Sequence, residues 1–311
     1  FEKENDTKWA LKVTSYIKEC CQRAINCGVE LLQMDDLYWK TMKAEAPYWF
    51  DSYLIYLERK RERRDMFYLP KRKQLNKHGL IQAMQDLEDD KLDILSISMP
   101  PGTQKTTLEK FFASWIIGRH PDDYSLFFSH SGDITRMFYD GVIDITTNDE
   151  EYCWNEIFPD VHLVSTDAKR EQINFNKYKP FANLQCTSVG SKNAGKVRCN
   201  RYLYCDDLIG GIEEALNKNQ LDKLWRIYGT DAKQRKLNEQ VKEIHIATRW
   251  SVHDVIGRLK RLYAGNDRAR FIAVPDIDPE TGESNFDYEF NGMSVKFFND
   301  QALTMDDISY K

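Results

Sequence analysis

The stretch Leu92-Asp93-Ile94-Leu95-Ser96-Ile97-Ser98-Met99-Pro100-Pro101-Gly102-Thr103-Gln104-Lys105-Thr106-Thr107 decides the fold. Its first seven residues read as a short strand, the nine from Met99 to Thr107 as the loop that follows, and Leu108 to Ile117 as a helix. A loop between a strand and a helix N-terminus aims backbone N–H groups and the positive end of the helix dipole at a phosphate. Lys105 adds a mobile positive charge, and the Thr106 hydroxyl suits Mg²⁺. Pro101, Gly102, Thr103, Gln104, Lys105, Thr106 and Thr107 are therefore the candidate phosphate-contacting residues. The standard phosphate loop has glycine where Met99 and Gln104 stand, so taken alone the string equally fits an ordinary strand-to-helix turn.

Outward from this loop, short apolar runs alternate with helical patterns from Leu80 on, as βαβ units do. The strands expected are Leu92–Ser98, Tyr124–Ser129, Leu184–Val189, Tyr202–Cys205, Glu243–Thr248 and Arg270–Val274, and Ile134 to Asp140 reads as helix. The fold class is α/β, a mostly parallel central sheet flanked by helices. Ahead of it lies an N-terminal helical region, residues 1–66. Within it, Trp9, Val13, Tyr16, Ile17, Cys20 and Ala24 recur at the spacing of one helix face, predicting a helix over Lys8 to Asn26. The charge block Glu58 to Asp65 has mixed signs and reads as a solvated helix face rather than a DNA-facing patch. Residues 67–275 form the core of the chain. Residues 276–311 begin with a polar, turn-forming stretch to Asn285 and read as a linker.

Two further strand ends carry polar groups. Arg201-Tyr202-Leu203-Tyr204-Cys205-Asp206-Asp207 is an apolar strand closing on two acids. One carboxylate can organise Mg²⁺ and the next can polarise an attacking water, although two acids after a strand also cap turns. Ile244-His245-Ile246-Ala247-Thr248-Arg249-Trp250 is the third such strand. Thr248 is placed to sense a γ-phosphate, and Arg249 and Trp250 to pass that on, with Trp250 as plain core the alternative. Arg136 reaches a neighbour's phosphate or is simply exposed. Lys192, Lys196 and Arg198 are candidate DNA contacts on a glycine-containing loop, with a solvated loop the equal alternative.

Composition narrows the class. The chain of 311 residues is 41% hydrophobic, 30% charged and 13% aromatic, with a net charge of −5. That is a globular composition without the global positive field of a constitutive DNA binder. No run spans a bilayer and no signal peptide opens the chain, and the absence of Met at position 1 suggests an excised fragment. The seven cysteines lack metal-site spacing and are expected to be reduced and mostly buried.

The order and wording of these motifs resemble those of phage terminase large subunits over nearly all of Phe67 to Lys311. The likeness rests on the Pro-Pro opening of the loop, the Asp206-Asp207 pair and the run Ala247-Thr248-Arg249-Trp250-Ser251-Val252-His253-Asp254. It implies a P-loop NTPase of the additional-strand (ASCE, RecA-like) type that hydrolyses ATP with Mg²⁺. It also implies a homo-oligomeric ring on the portal protein that drives double-stranded DNA into a procapsid, with a small terminase subunit as partner. The setting would be the cytoplasm of an infected bacterial host, with neither secretion nor a membrane.

By position, Lys105 and Thr106 match the loop lysine and the magnesium hydroxyl, and Asp206 the metal-organising acid. Asp207 stands where many relatives carry the catalytic glutamate, so Glu213 or Glu214 is an alternative water activator. Tyr68 to Gln74 matches the adenine-recognition region, with Gln74 as the base contact and Arg72 beside it. Arg136 falls in the region that supplies an arginine finger in trans. Gly102 replaces a loop arginine common in relatives, which makes a finger from elsewhere more necessary. The family's nuclease domain would follow this chain, so no DNA cutting is expected of it. Two alternatives stand: a nucleotide-binding assembly module with little turnover, and another P-loop nucleic-acid-dependent ATPase.

Overall fold

The computed structural model describes residues 2–29, 36–191, 197–290 and 293–295. Its centre is a sheet whose inner strands are buried along their whole length: β1 (Ile94–Ser98), β2 (Ser125–Ser129) and, further along, β6 (Tyr202–Asp206). The remaining strands are β3 (Leu163–Asp167), β4 (Gln172–Phe175), β5 (Leu184–Ser188), β7 (Lys242–Ala247) and β8 (Ala269–Ala273). They form one eight-stranded sheet in the order β3-β4-β5-β2-β6-β7-β1-β8. The six strands from β5 to β8 in that order are parallel, and β3 and β4 add antiparallel at one edge.

All six strands expected from the sequence form. The β3–β4 hairpin was not expected, because its strands are only five and four residues long and β3, Leu163-Val164-Ser165-Thr166-Asp167, shows no apolar alternation. β7 lies between β6 and β1, so the carboxyl ends of the three motif-bearing strands lie side by side. The crevice beyond the carboxyl ends of parallel strands is where ligands of open α/β sheets bind.

Helices cover both faces. Side chains alternate along each strand, so Phe127, Tyr202 and Tyr204 join one core while Leu126, Phe128, Leu203 and Cys205 join another. The first core is roofed by α3 (Phe50–Leu57), α5 (Leu80–Glu88), α6 (Lys105–Arg119), α7 (Gly132–Thr147) and the short α8 (Trp154–Ile157). α11 (Val255–Leu262) contributes Val255 and Leu259 to the second core. α9 (Ile212–Leu216) and α10 (Lys218–Ile227) lie between β6 and β7 in the chain. The remaining elements are α1 (Glu2–Asn26), α2 (Asp36–Glu45), α4 (Tyr68–Lys77), and the pair β9 (Tyr288–Phe290) and β10 (Met293–Val295).

Phe50 and Tyr53 of α3 pack onto α6, which covers the sheet. Phe50 meets Phe112 edge to face at 5.2 Å and lies 5.2 Å from Trp115. The Trp115 indole N–H donates to the Ala46 carbonyl at 2.8 Å, which satisfies its polar edge inside the core.

The charge block differs from expectation. α3 stops at Leu57, and Glu58 to Asp65 form a turn and a short 3₁₀ segment in place of a helix face. Glu58 is fully buried because its carboxylate accepts the backbone N–H groups of Phe67 and Tyr68, capping the start of α4, and it also accepts from Arg61. Glu62, Arg63, Arg64 and Asp65 are solvated as expected.

The seven cysteines form no disulfide, and Cys153, Cys186, Cys199 and Cys205 are buried while Cys20 and Cys27 are exposed. Among the described residues no helix is long and apolar enough to cross a membrane.

Candidate nucleotide site

α6 starts at Lys105, three residues earlier than the sequence suggested, which puts Lys105 and Thr106 in its first turn. The chain enters that turn through two left-handed residues, Gly102 (φ 77°) and Gln104 (φ 61°). Gln104 thus holds the backbone shape for which glycine is ordinarily used. Its side chain accepts a hydrogen bond from Lys71 Nζ, which lies over the Phe67 ring at 4.5 Å. The Thr103 hydroxyl donates to the Pro100 carbonyl at 2.9 Å and the Met99 N–H to the Ala247 carbonyl at 3.2 Å, fixing the loop to the tip of β7.

The three strand tips meet here. Lys105 Nζ lies 3.0 Å from Thr248 Oγ1 and 3.2 Å from Asp207 Oδ2, and Asp207 Oδ1 accepts the Thr248 N–H at 2.8 Å. Thr106 Oγ1 donates to Asp206 Oδ2 at 2.7 Å, joining residues 100 positions apart. Asp207 sits at positive φ (39°), just beyond β6, and its carbonyl accepts from His130 Nδ1 at 2.5 Å. His130 was quoted in the sequence but given no role there. A histidine after a strand has no spacing signal, and only the sheet order brings it to Asp207.

Asp206 is fully buried and its Oδ1 has no hydrogen-bond partner among the described residues. Burial raises its pKa to about 7, aided by the neighbouring Asp207 and opposed by Thr106, Lys105 and Lys110. Glu109, one turn beyond Lys105, is also fully buried, and neither of its oxygens is paired among the described residues. Burial first, then Asp206 and Asp207, push its pKa well above the usual carboxylate range. Three carboxyl groups therefore lie close enough to raise one another, and only Asp207 is ion-paired with Lys105. A hydroxyl and a carboxylate with a free buried oxygen match the donors Mg²⁺ takes when one or two protein oxygens and substrate phosphates hold it.

The other candidates divide. Gln74 donates through Nε2 to the Asp287 carbonyl at 2.8 Å, and its Oε1 is buried with no partner among the described residues. It lines a small cavity that Met99 and Thr103 of the loop also line, together with His78 and Asn285. Asn285 lay in the stretch read as a linker; its long-range packing left no local signal. Arg72 is not brought to this cavity by its contacts, since both its Nε and Nη2 donate to Asp51 at 2.9 Å.

Arg136 lies exposed on α7, bonded to Asp140 at 2.9 Å and to the Ala168 carbonyl at 2.8 Å. Glu213 and Glu214 are both exposed on α9, and Glu214 accepts the Gly210 N–H at 2.9 Å. Arg249 is paired with Asp254 at 2.7 Å, and Trp250 packs against Ile209, Ala215 and Leu221 beneath α9 and α10. Lys192 and Lys196 lie outside the described residues. Arg198 is half-buried and donates to the Val197 carbonyl at 3.0 Å.

With the geometry in place, the comparisons add nothing to it. No protein-family model and no curated protein matches the chain. The site has to be read from its own chemistry.

Proposed function

We propose that this chain is the ATP-hydrolysing motor domain of a viral terminase large subunit, with a P-loop of the additional-strand, RecA-like type. The observation that carries the reading is the meeting of Lys105, Thr106, Asp206, Asp207 and Thr248 at three adjacent strand tips. Few structural needs call for an ammonium, a hydroxyl and two acids at the mouth of a parallel sheet, whereas a nucleotide triphosphate calls for all of them. In this reading Pro101 to Thr107 cradle the phosphates and Lys105 leaves Asp207 to pair with them. Thr106 and Asp206 would hold Mg²⁺, which would supply neutralising charge beside the clustered carboxyls. Asp207, once released, orients water for attack. The Gln74 amide oxygen, unpaired among the described residues, accepts from an adenine amino group.

Thr248 also joins the phosphate end of the site to Trp250, which packs on α9 and α10. Loss of the γ-phosphate would be felt there as movement. Duplex DNA, a portal protein, a small terminase subunit and a ring of like chains are the partners of such a motor, in the cytoplasm of an infected bacterium.

Phosphate release from Mg·ATP by the purified chain tests the reading. With Arg136 acting in trans, the rate per chain rises as protein concentration rises, and Arg136→Ala removes a factor on the order of 10³. A measurable rate indifferent to concentration and to Arg136→Ala would remove the trans finger. Nucleotide binding without any turnover would favour the assembly-module alternative, and no binding at all would end both readings.

Gln104 gives a second, independent expectation. Gln104→Gly relieves a left-handed non-glycine residue worth about 1 kcal/mol and removes the side-chain acceptor that holds Lys71 to the loop. The melting temperature should rise by roughly 2 °C, and a fluorescent ATP analogue should associate faster in stopped flow. A slower association would mean that the glutamine preorganises the loop.

A further inference from the structure

α1 meets the fold through one mixed side, led by Lys18, and turns an apolar stripe to solvent. Lys18 reaches Ser52 Oγ at 2.9 Å, Glu45 at 3.4 Å and Asp51 at 3.3 Å, and Cys21 packs against the main core. Leu11 and Thr14 lie on the same side and are half-buried. At 3.6 residues per turn, Trp9, Val13, Tyr16 and Cys20 fall on the opposite side. They are exposed there, Trp9 at 70%, Val13 at 38% and Tyr16 at 66%, and Cys20 also faces solvent. Their spacing of four, three and four is that of a coiled-coil seam, which only another helix matches well.

We propose that α1 pairs with α1 of a second copy of this chain as an antiparallel two-helix coil, about a two-fold axis passing between Thr14 and Ser15. The charges beside the seam choose the occupant and the direction. In this register Trp9 packs on the partner's Cys20 and Val13 on the partner's Tyr16, with both contacts repeated by symmetry. Lys12 and Glu19, both exposed, flank the seam on one side. The two-fold axis sets Lys12 against the partner's Glu19 twice, between those layers. A parallel pair would set Lys12 near the partner's Ile17 and Glu19 near the partner's Ala24, leaving both charges unanswered. A two-fold contact uses the same patch on both chains and closes at two, so this pair is an assembly distinct from any head-to-tail ring. It requires no nucleotide, and its failure would leave the motor reading untouched.

Sedimentation of the full chain in reducing buffer, over a range of concentrations, tests the pairing. A reversible dimer is expected, with Tyr16→Glu raising its dissociation constant roughly a hundredfold by spoiling two layers. Lys12→Glu raises it about tenfold, and the double change Lys12→Glu with Glu19→Lys restores it, which a merely misfolded variant would not do. In a Cys27→Ser background, Trp9→Cys should oxidise to a covalent dimer through Cys20, while the Cys27→Ser parent should not. A chain that stays monomeric at every concentration overturns the proposal. So does a dimer indifferent to Tyr16→Glu, a charge swap that fails to restore, or a Trp9→Cys chain that does not cross-link.

Discussion

Substituting Lys105 with alanine should lower the ATP hydrolysis rate by a factor on the order of 10² to 10³, the usual cost of removing a preorganised charge from a reacting phosphate. The geometry also predicts a stability effect whose sign separates structure from function. Lys105 is buried at 7% exposure and is the ammonium that opposes Glu109, Asp206 and Asp207. Without it the carboxyls lose that opposing charge, at a cost of about 1–3 kcal/mol at pH 8. Raised carboxyl pKa values mean that the folded state holds more protons than the unfolded one above the ordinary carboxylate range. The penalty is therefore largest at high pH and shrinks as pH falls through about 7, where Asp206 takes up a proton. Lys105→Arg should keep most of the stability, because charge is retained, yet lose turnover, because a planar guanidinium does not replace a compact ammonium at the phosphates. Thermal melts at pH 5 and pH 8 beside phosphate-release rates give both readings. Parental ATP turnover by Lys105→Ala would sink the motor assignment.

The largest purely structural effect should come from Glu88. This carboxylate, buried at the end of α5, receives Arg119 Nε at 3.1 Å, His120 Nε2 at 2.6 Å and Arg201 Nη2 at 2.7 Å on one oxygen. Its other oxygen receives the Tyr202 hydroxyl at 2.9 Å. One side chain thus ties the end of α5 to the end of α6 and the start of β6. Glu88→Ala leaves two guanidinium groups and a buried hydroxyl without their acceptor, a loss of about 3–5 kcal/mol. In the parent, the surrounding hydrogen bonds and positive charges outweigh burial and hold the Glu88 pKa down to about 2. Its contribution is present above the ordinary value of 4.5 and is lost as pH falls towards 2. Urea unfolding should show that acid-side loss in the parent and a weaker one in Glu88→Ala. A variant of parental stability at pH 7 would mean that the cations find other partners.

The parallel core was legible because its strands are short, apolar and separated by helical patterns, and each of those properties is local. The gathering of Lys105, Thr106 and Asp206 was legible only through the order of motifs, since nothing near Thr106 announces a carboxylate far along the chain. What local reading missed depends on distant packing. Glu109 looks like a surface residue of a helix until the sheet buries it, and Asn285 looks like linker until it returns to line the cavity beside Gln74. The charge block misled because mixed charges usually mean solvent, while Glu58 is drawn inward by two free N–H groups at the start of α4. On α1 the stripe of Trp9, Val13, Tyr16 and Cys20 was visible as an apolar face. Which side of the helix meets the fold is decided by Lys18 and Cys21, whose partners lie on α2, α3 and the core.

The β3–β4 hairpin sets a limit on how the sheet can grow. Had the sheet ended at β5, a straight and nearly fully buried strand, its open row of amides and carbonyls would have been a template for any extended peptide, including an unfolded copy of the same chain. The outermost strand is instead five residues long, half-solvated, irregular in register between Leu163 and Ser165, and finished by Asp167. A foreign strand would find few contiguous bonds there and a carboxylate at the end, so crowded chains should not zip their sheets together through this edge.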